Sequence, residues 1–116
     1  MLKIYHNPRC RKSREGLAYL MERHPGAEVV LYLEHPLDPD ALKMLFMKMN
    51  CKPADAVRQQ EELYKKELKG KKFTDEEWIS IIAQHPRLLQ RPIVEGKYRA
   101  VVAEPPERMK IVMRDQ

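Results

Sequence analysis

Residues 2–10 read Leu-Lys-Ile-Tyr-His-Asn-Pro-Arg-Cys. The first four alternate between apolar and polar character, which is typical of a short β-strand, and Asn7-Pro8 ends that strand. From about Arg9–Cys10 to Arg23 the apolar side chains recur at helical spacing, so a helix is predicted there. Cys10 therefore lies where a strand meets the first turn of a helix.

Further along, His24-Pro25-Gly26 ends the predicted helix. Residues 28–33 form a nearly continuous apolar run, which is typical of a strand buried on both faces. The opening 33 residues thus read β-α-β, and such short spacing predicts a parallel strand pair with a right-handed crossover.

The middle of the chain, residues 38–86, is predicted to be mainly helical. Asp38-Pro39 is a capping residue followed by proline at the first helical position, and Thr74 with Glu77 forms a capping box. The helix beginning at Asp38 is expected to end near Asn50. Shorter helices are expected after Lys52-Pro53 and within residues 59–72, and the methionines Met44, Met47 and Met49 are expected to fill the core.

Residues 92–94 and 98–103 are predicted to form two short antiparallel strands joined by Glu95-Gly96-Lys97. Pro105-Pro106 opens a last helix. The order of elements predicts an α/β fold with a mixed four-stranded sheet flanked by helices, in one domain of residues 1–116. A helical insertion at about 38–86 lies between its two halves.

Composition limits the classes of function. The chain has 116 residues, a net charge of +5, 43% hydrophobic and 34% charged residues. It contains no run of roughly 20 apolar residues that would span a bilayer and no secretory leader, so a cytoplasmic protein without membrane contact is expected. Two cysteines and four scattered histidines fall short of a disulfide scaffold or a zinc site, so no bound metal is expected. The basic residues are spread widely without interleaved aromatics, which disfavours nucleic acid as a partner.

The candidate nucleophile is Cys10. Only a thiolate is a good nucleophile, and the free amides and dipole of a helix N-terminus favour negative charge. Ser13 can donate a hydroxyl hydrogen bond to the sulfur, and His6 is near enough to help if it is protonated or donates. Basic neighbours act in the same direction, namely Arg9, Arg11 and Lys12.

The alternative is that Cys10 is a small buried hydrophobic residue, the commonest state of a free cysteine. Its polar and basic neighbours argue against burial. Cys51 lies just past a helix end among apolar residues, and an inert thiol is expected there. Ser13 occupies the second position of a Cys-x-x-Cys motif, so a disulfide at the helix start is excluded. Turnover would need an external thiol or Cys51.

On these residues the sequence resembles the glutaredoxin-coupled arsenate reductase family, over almost the whole chain. The resemblance implies a thioredoxin-like fold and a cis proline at Pro92 beside the active cysteine. The matching stretches are Ile4–Cys10 with Ser13-Arg14, Leu31–Glu34, Phe73–Asp75, Gln84–Pro86 and Arg91–Val94.

The same resemblance implies an activity. The cysteine attacks arsenate, glutathione as co-substrate adds to the arsenic, and glutaredoxin releases the product, with no bound cofactor. Arg58 and Arg91 match the first two of three arginines that hold the oxyanion and lower the thiol pKa, a task that suits the planar guanidinium. Each has a plain alternative, Arg58 as a charge on a solvated helix face and Arg91 as an ordinary residue at the start of a strand.

Glu104 occupies the third arginine position. A carboxylate there is expected to repel arsenate and to raise a nearby thiol pKa, with Arg99 on the preceding hairpin as a possible compensation. Three alternatives to arsenate reduction therefore stay open. They are a family member with another thiol-redox substrate, a non-catalytic regulator resembling Spx that binds RNA polymerase, and a structural domain with an inert thiol.

Overall fold

A computed structural model describes residues 1–114; the last two residues of the predicted domain 1–116 lie outside the described part. The main elements are β1 (Lys3–Tyr5), α1 (Arg11–Arg23), β2 (Glu28–Val30), α2 (Pro39–Met49), α3 (Asp75–Gln84), β3 (Ile93–Glu95), β4 (Ala100–Val102) and α4 (Lys110–Met113). Short 3₁₀ turns lie at Pro53–Ala56, Pro86–Leu88 and Pro106–Met109, with a π-helical turn at Tyr64–Leu68. Among the helices of residues 1–114, none has the length and apolar character needed to cross a bilayer.

The strands form one sheet in the order β2-β1-β3-β4. Strand β1 is parallel to β2 and antiparallel to β3, and β3 is antiparallel to β4. The predicted mixed four-stranded sheet is therefore confirmed. Tyr5, the last residue of β1, lies opposite both Val30 and Ile93. Strands β1 and β2 consequently end, and β3 begins, at the same end of the sheet.

Strand β2 differs from its prediction. The strand ends at Val30, and residues 31–35 form a turn in which the amides of Glu34 and His35 donate to the carbonyl of Leu31, at 3.0 and 2.9 Å. The prediction of a strand buried on both faces is wrong, because Glu28 and Val29 of β2 are exposed, Val29 by 41%. Strand β2 also lies at the edge of the sheet. The second half of the apolar run instead supplies the turn that lies beside the carboxyl end of β1.

The core lies on both faces of the sheet because successive strand residues point to opposite sides. Ile4 and Val94 pack with α1 and the C-terminal helical turns, whereas Tyr5 and Ile93 pack with α2 and α3. The helices between β2 and β3 thus cover one face, and α1 covers the other.

Local sequence signals account for the ends of the long helices. The Asp38 carboxylate accepts the Ala41 amide at 2.8 Å, and Asn50 ends α2 in the left-handed region with φ of 53°. The capping box of Thr74 and Glu77 is confirmed at the start of α3.

The charged stretch 59–72 contains the expected short helix, the π-helical turn Tyr64–Leu68, whose buried Leu68 packs in the core. One expectation for the helical segment is wrong. Met44 and Met47 are 56% and 68% exposed and do not fill the core. The buried stripe of α2 is formed by Leu42, Leu45 and Phe46.

Candidate active site

The strand-to-helix turn after β1 places Cys10 at the end of the sheet where β1 and β2 finish. Cys10 is the N-cap of α1 with an extended backbone, and its carbonyl accepts the Arg14 amide at 3.0 Å. The Cys10 amide donates to the carbonyl of Asn7 at 3.1 Å, which closes the turn. The thiol is half-buried, so it faces both the first amides of α1 and the surface.

The surroundings of Cys10 favour the thiolate. Burial acts to raise the pKa of the thiol. The Ser13 amide, the charge of Arg91, the Lys12 amide and hydrogen bonding from Arg91 act in the opposite direction, and together they lower the pKa below the ordinary cysteine value. The expected activation by a helix N-terminus is present, and Arg91 adds to it.

The Ser13 hydroxyl does not act as expected. It is fully buried, accepts the Asn7 amide at 2.9 Å and lies 2.8 Å from Nδ1 of His6. The backbone amide of Ser13, rather than its hydroxyl, therefore stabilises the sulfur.

Burial lowers the pKa of His6, and the charge of Arg14 acts in the same direction against a hydrogen bond with the Ser13 backbone. The His6 imidazole is thus held neutral at neutral pH. Its contact is with Ser13, and His6 acts on the shape of the loop after β1 rather than directly on the thiol.

Arg91 approaches the thiol from the start of β3. The Arg91–Pro92 peptide bond is cis, and the Pro92 carbonyl accepts the Ala103 amide at 2.8 Å. Nε of Arg91 is buried and has no hydrogen-bond partner within residues 1–114. Arg91 therefore stabilises the thiolate and retains a donor for a bound anion.

Pro92 also rests against α1. A methyl group on Gly16 would come within 2.7 Å of Pro92 Cγ, whereas one on Gly26 would have no atom within 4 Å. A helical Gly→Ala change normally stabilises by about 0.5–1 kcal/mol. We expect Gly16→Ala instead to destabilise by about 1–3 kcal/mol, because the buried proline must move. Urea unfolding of Gly16→Ala and Gly26→Ala checks this, and equal stability of the two variants would contradict the contact.

Arg58 is brought toward Arg91 by backbone pairing of two segments. The Arg58 amide donates to Leu88 at 2.7 Å, and the Gln90 amide donates to Ala56 at 2.9 Å, around an antiparallel bridge. The Arg58 side chain is 15% exposed, its Nη1 lies 3.0 Å from a Glu61 oxygen, and its buried Nε has no partner within the described chain. The groups that shift the Cys10 pKa do not include Arg58, so it lies beside the thiol site without acting on the sulfur.

Tyr32 is a residue of this site that sequence reasoning missed. It lies in the turn after β2, is 1% exposed, and the charges of Arg91, Arg58 and Cys10 act on its phenol. With His6 and Arg58 it lines an open cleft of about 1000 Å³. The sequence placed Tyr32 inside a strand, and only the earlier end of β2 turns it toward the site.

Glu104 is paired rather than exposed to the thiol. Its carboxylate lies 2.6 Å from Nζ of Lys12, and it is not among the groups that shift the Cys10 pKa. The expectation that Glu104 raises this pKa is therefore wrong, because Lys12 on α1 compensates the charge.

The compensation considered for Arg99 is also wrong. Arg99 follows β3, whose last residue Glu95 lies opposite Lys3 at the start of β1. The Arg99 carbonyl accepts the Gly96 amide at 2.8 Å within that turn. The turn is consequently at the end of the sheet opposite Cys10.

Cys51 has a different environment from Cys10. It follows α2, is half-buried against the apolar cluster around α2 and α3, and burial, together with Asp55, raises its pKa. A raised pKa makes the thiol a poor nucleophile at neutral pH. Within residues 1–114, no group of three or more His, Cys, Asp or Glu side chains could hold a metal ion.

The site therefore combines an activated thiolate with two arginines, each of which has a buried N–H without a partner in the described chain. A guanidinium with unused donors binds anions, and a thiolate attacks electrophiles. The arrangement fits an anionic electrophile that binds beside Cys10.

Comparison with known proteins agrees with this chemistry. The chain is 42% identical over 110 residues to the uncharacterized protein YfgD of Escherichia coli, covering 93% of this chain and 92% of that protein. It is 41% identical over 114 residues to an arsenate reductase of Neisseria meningitidis, covering 97% of each. The solved arsenate reductase from Vibrio cholerae has a TM-score of 0.88 at 35% identity, covering 99% of this chain and 97% of that one, which confirms the thioredoxin-like fold. A model of the ArsC family matches residues 5–112, and the chain belongs to that family.

Proposed function

We propose that this protein is a glutathione- and glutaredoxin-coupled arsenate reductase with Cys10 as its nucleophile. The observation that carries the proposal is the lowered pKa of the Cys10 thiol beside Arg91, whose Nε has no partner within residues 1–114. Relatives named arsenate reductase support the substrate. Arsenate is a tetrahedral anion, so a pair of its oxygens can accept hydrogen bonds from each guanidinium.

The proposed reaction begins with attack of the Cys10 sulfur on As(V). An S–As bond forms, and one arsenate oxygen takes up protons and leaves as water. The thiol of glutathione then displaces a second oxygen as water, which leaves the arsenic bonded to both sulfurs.

Glutaredoxin completes the proposed cycle. Its thiolate attacks the glutathione sulfur, and the As–S bond to glutathione breaks with its electron pair left on arsenic, which becomes As(III). Water then displaces the Cys10 sulfur and arsenite leaves. The two electrons come from the glutaredoxin and glutathione thiols, which end as a mixed disulfide.

Dependence on an external thiol follows from the cysteines. Ser13 occupies the second Cys-x-x-Cys position, and burial raises the pKa of Cys51, which disfavours Cys51 as the resolving thiol. Glutathione is abundant and reduced in the cytoplasm, where we place the protein.

The experiment is a coupled assay with purified protein, arsenate, glutathione, glutaredoxin, glutathione reductase and NADPH. We expect arsenate-dependent oxidation of NADPH that falls to background when glutaredoxin is omitted. Oxidation that persists without glutaredoxin but needs glutathione would refute the coupling. No arsenate-dependent oxidation would refute arsenate as the substrate.

The second candidate is reduction of another thiol-redox substrate by the same Cys10. Glu104 favours it, because the Lys12–Glu104 pair takes the place of a third arginine and adds no net positive charge. A low-molecular-weight disulfide replaces arsenate in the same assay. Turnover of the disulfide without turnover of arsenate would support this candidate.

A further inference from the structure

We propose that the Tyr32 hydroxyl is a third ligand of the bound oxyanion, and that it donates a hydrogen bond to an oxygen held between Arg58 and Arg91. This inference deepens the proposed function and rests on it. It assigns a substrate-binding role to a side chain that contributes no charge.

The position of Tyr32 comes from the early end of β2. Parallel strands β1 and β2 end at the same edge of the sheet, where α1 begins with Cys10 at its N-cap. The turn of residues 31–35 directs Tyr32 back into the protein, so that only 1% of the residue is exposed. Tyr32 still lines the cleft together with Arg58 and His6.

The electrostatics place the phenol among the groups of the site. Burial raises the pKa of Tyr32 to about 12, the charges of Arg91 and Arg58 act to lower it, and those of Cys10 and Glu61 act to raise it. These four groups come from three different segments of the chain, because Arg58 and Glu61 are only three residues apart. The phenol is therefore within electrostatic reach of the thiol and of both guanidiniums at once.

A neutral donor suits this position. At neutral pH the Tyr32 hydroxyl keeps its proton, so it can donate to an anion without repelling it. The buried Nε atoms of Arg58 and Arg91 lack partners within residues 1–114. A tetrahedral anion has four oxygens, so two donors leave some of these oxygens without a hydrogen bond. Glu104 is an acidic residue whose carboxylate pairs with Lys12, so this position supplies no further cation for the anion. The phenol, which lines the cleft together with Arg58, provides the additional donor.

The competing explanation is that Tyr32 only fills the core. Tyr32→Phe separates the two roles, because it keeps the ring and removes one oxygen. Tyr98→Phe is the matched control, since Tyr98 is 66% exposed and lies in the turn between β3 and β4.

The test measures oxyanion binding without turnover. Neutral iodoacetamide alkylates Cys10, and arsenate, or phosphate as a second probe, protects it; labelling at Cys10 is followed by mass spectrometry. We expect Tyr32→Phe to require about tenfold more arsenate for half-protection, with the alkylation rate without arsenate and the Tm kept close to wild type. Tyr98→Phe is expected to match the wild type.

Equal half-protection concentrations for Tyr32→Phe and the wild type would overturn the role of Tyr32 alone. Absence of protection by either anion in the wild type would overturn both this inference and the proposed oxyanion site. Weakened protection in Tyr32→Phe combined with no arsenate turnover in the wild type would support Tyr32 as a ligand while refuting arsenate reduction.

Discussion

Replacing Cys10 with serine is expected to lower arsenate-dependent NADPH oxidation by at least about a thousandfold, to background. A hydroxyl is hardly ionised at neutral pH and is a far poorer nucleophile than a thiolate. Removal of a catalytic nucleophile typically lowers the reaction rate by this factor or more. The coupled assay with saturating glutathione and glutaredoxin measures the loss.

The fold is expected to survive this substitution. Cys10 is the N-cap of α1 and makes no capping hydrogen bond through its side chain. Serine is among the best N-cap residues, and its hydroxyl can accept the amide of Ser13 at the third helical position. The Tm of Cys10→Ser should therefore equal or exceed that of the wild type, so a loss of activity cannot be ascribed to unfolding.

Cys51→Ala is the matched control. Cys51 contacts the apolar cluster around α2 and α3, and alanine removes its thiol without burying a new polar group. We expect it to retain at least about half of the wild-type activity, since small changes at partly buried positions cost little. Substantial activity in Cys10→Ser would rule out Cys10 as the nucleophile, and loss of activity in Cys51→Ala would show that the second thiol takes part in turnover.

Local patterns predicted the parts of this fold that depend on local chemistry. Alternation in residues 2–5 and the capping signals at Asp38 and Thr74 describe interactions between residues a few positions apart, and these elements form as expected. The position of Cys10 at a helix start is of the same kind. Such interactions can be predicted from the sequence because both partners lie in one short window.

The parts that failed depend on partners far apart in the chain. An apolar run such as 28–33 does not show that β2 pairs on one side only, nor that Tyr32 leaves the strand. The pairing of Glu104 with Lys12 joins residues 92 positions apart, which no local pattern contains. The Ser13 hydroxyl is a different case, because its partners His6 and Asn7 lie only seven and six positions away. The sequence brings three acceptable partners near this hydroxyl and does not show which of them it contacts.

The second large effect is expected for Arg91→Ala, which removes, within residues 1–114, the only side-chain charge among the groups that lower the Cys10 pKa. Burial then acts against fewer opposing groups, so the thiol pKa rises and a smaller fraction is thiolate at neutral pH. The substitution also removes a donor to the anion. Loss of a charge-assisted hydrogen bond costs about 1.5–3 kcal/mol, so kcat/KM for arsenate should fall by roughly 10- to 100-fold.

The pH dependence separates the two effects of Arg91. The rate of iodoacetamide alkylation follows the thiolate, so its midpoint in pH reports the pKa of Cys10. A lowered pKa places the wild-type midpoint below the ordinary cysteine value, and Arg91→Ala should move it upward. At pH values above both midpoints the alkylation rates of the two proteins should converge, whereas the defect in kcat/KM should persist because arsenate still lacks its ligand.

Two further variants separate the charge of Arg91 from its geometry. Arg91→Lys keeps the positive charge and loses the planar guanidinium. Its alkylation midpoint should lie close to that of the wild type, whereas its kcat/KM should recover only in part. Arg108→Ala removes an exposed arginine from the turn Pro106–Met109 and should change neither quantity. An unchanged alkylation midpoint in Arg91→Ala, with its Tm preserved, would mean that the helix N-terminus alone activates Cys10. A guanidinium that acts on the sulfur must instead change the midpoint and the reaction rate together.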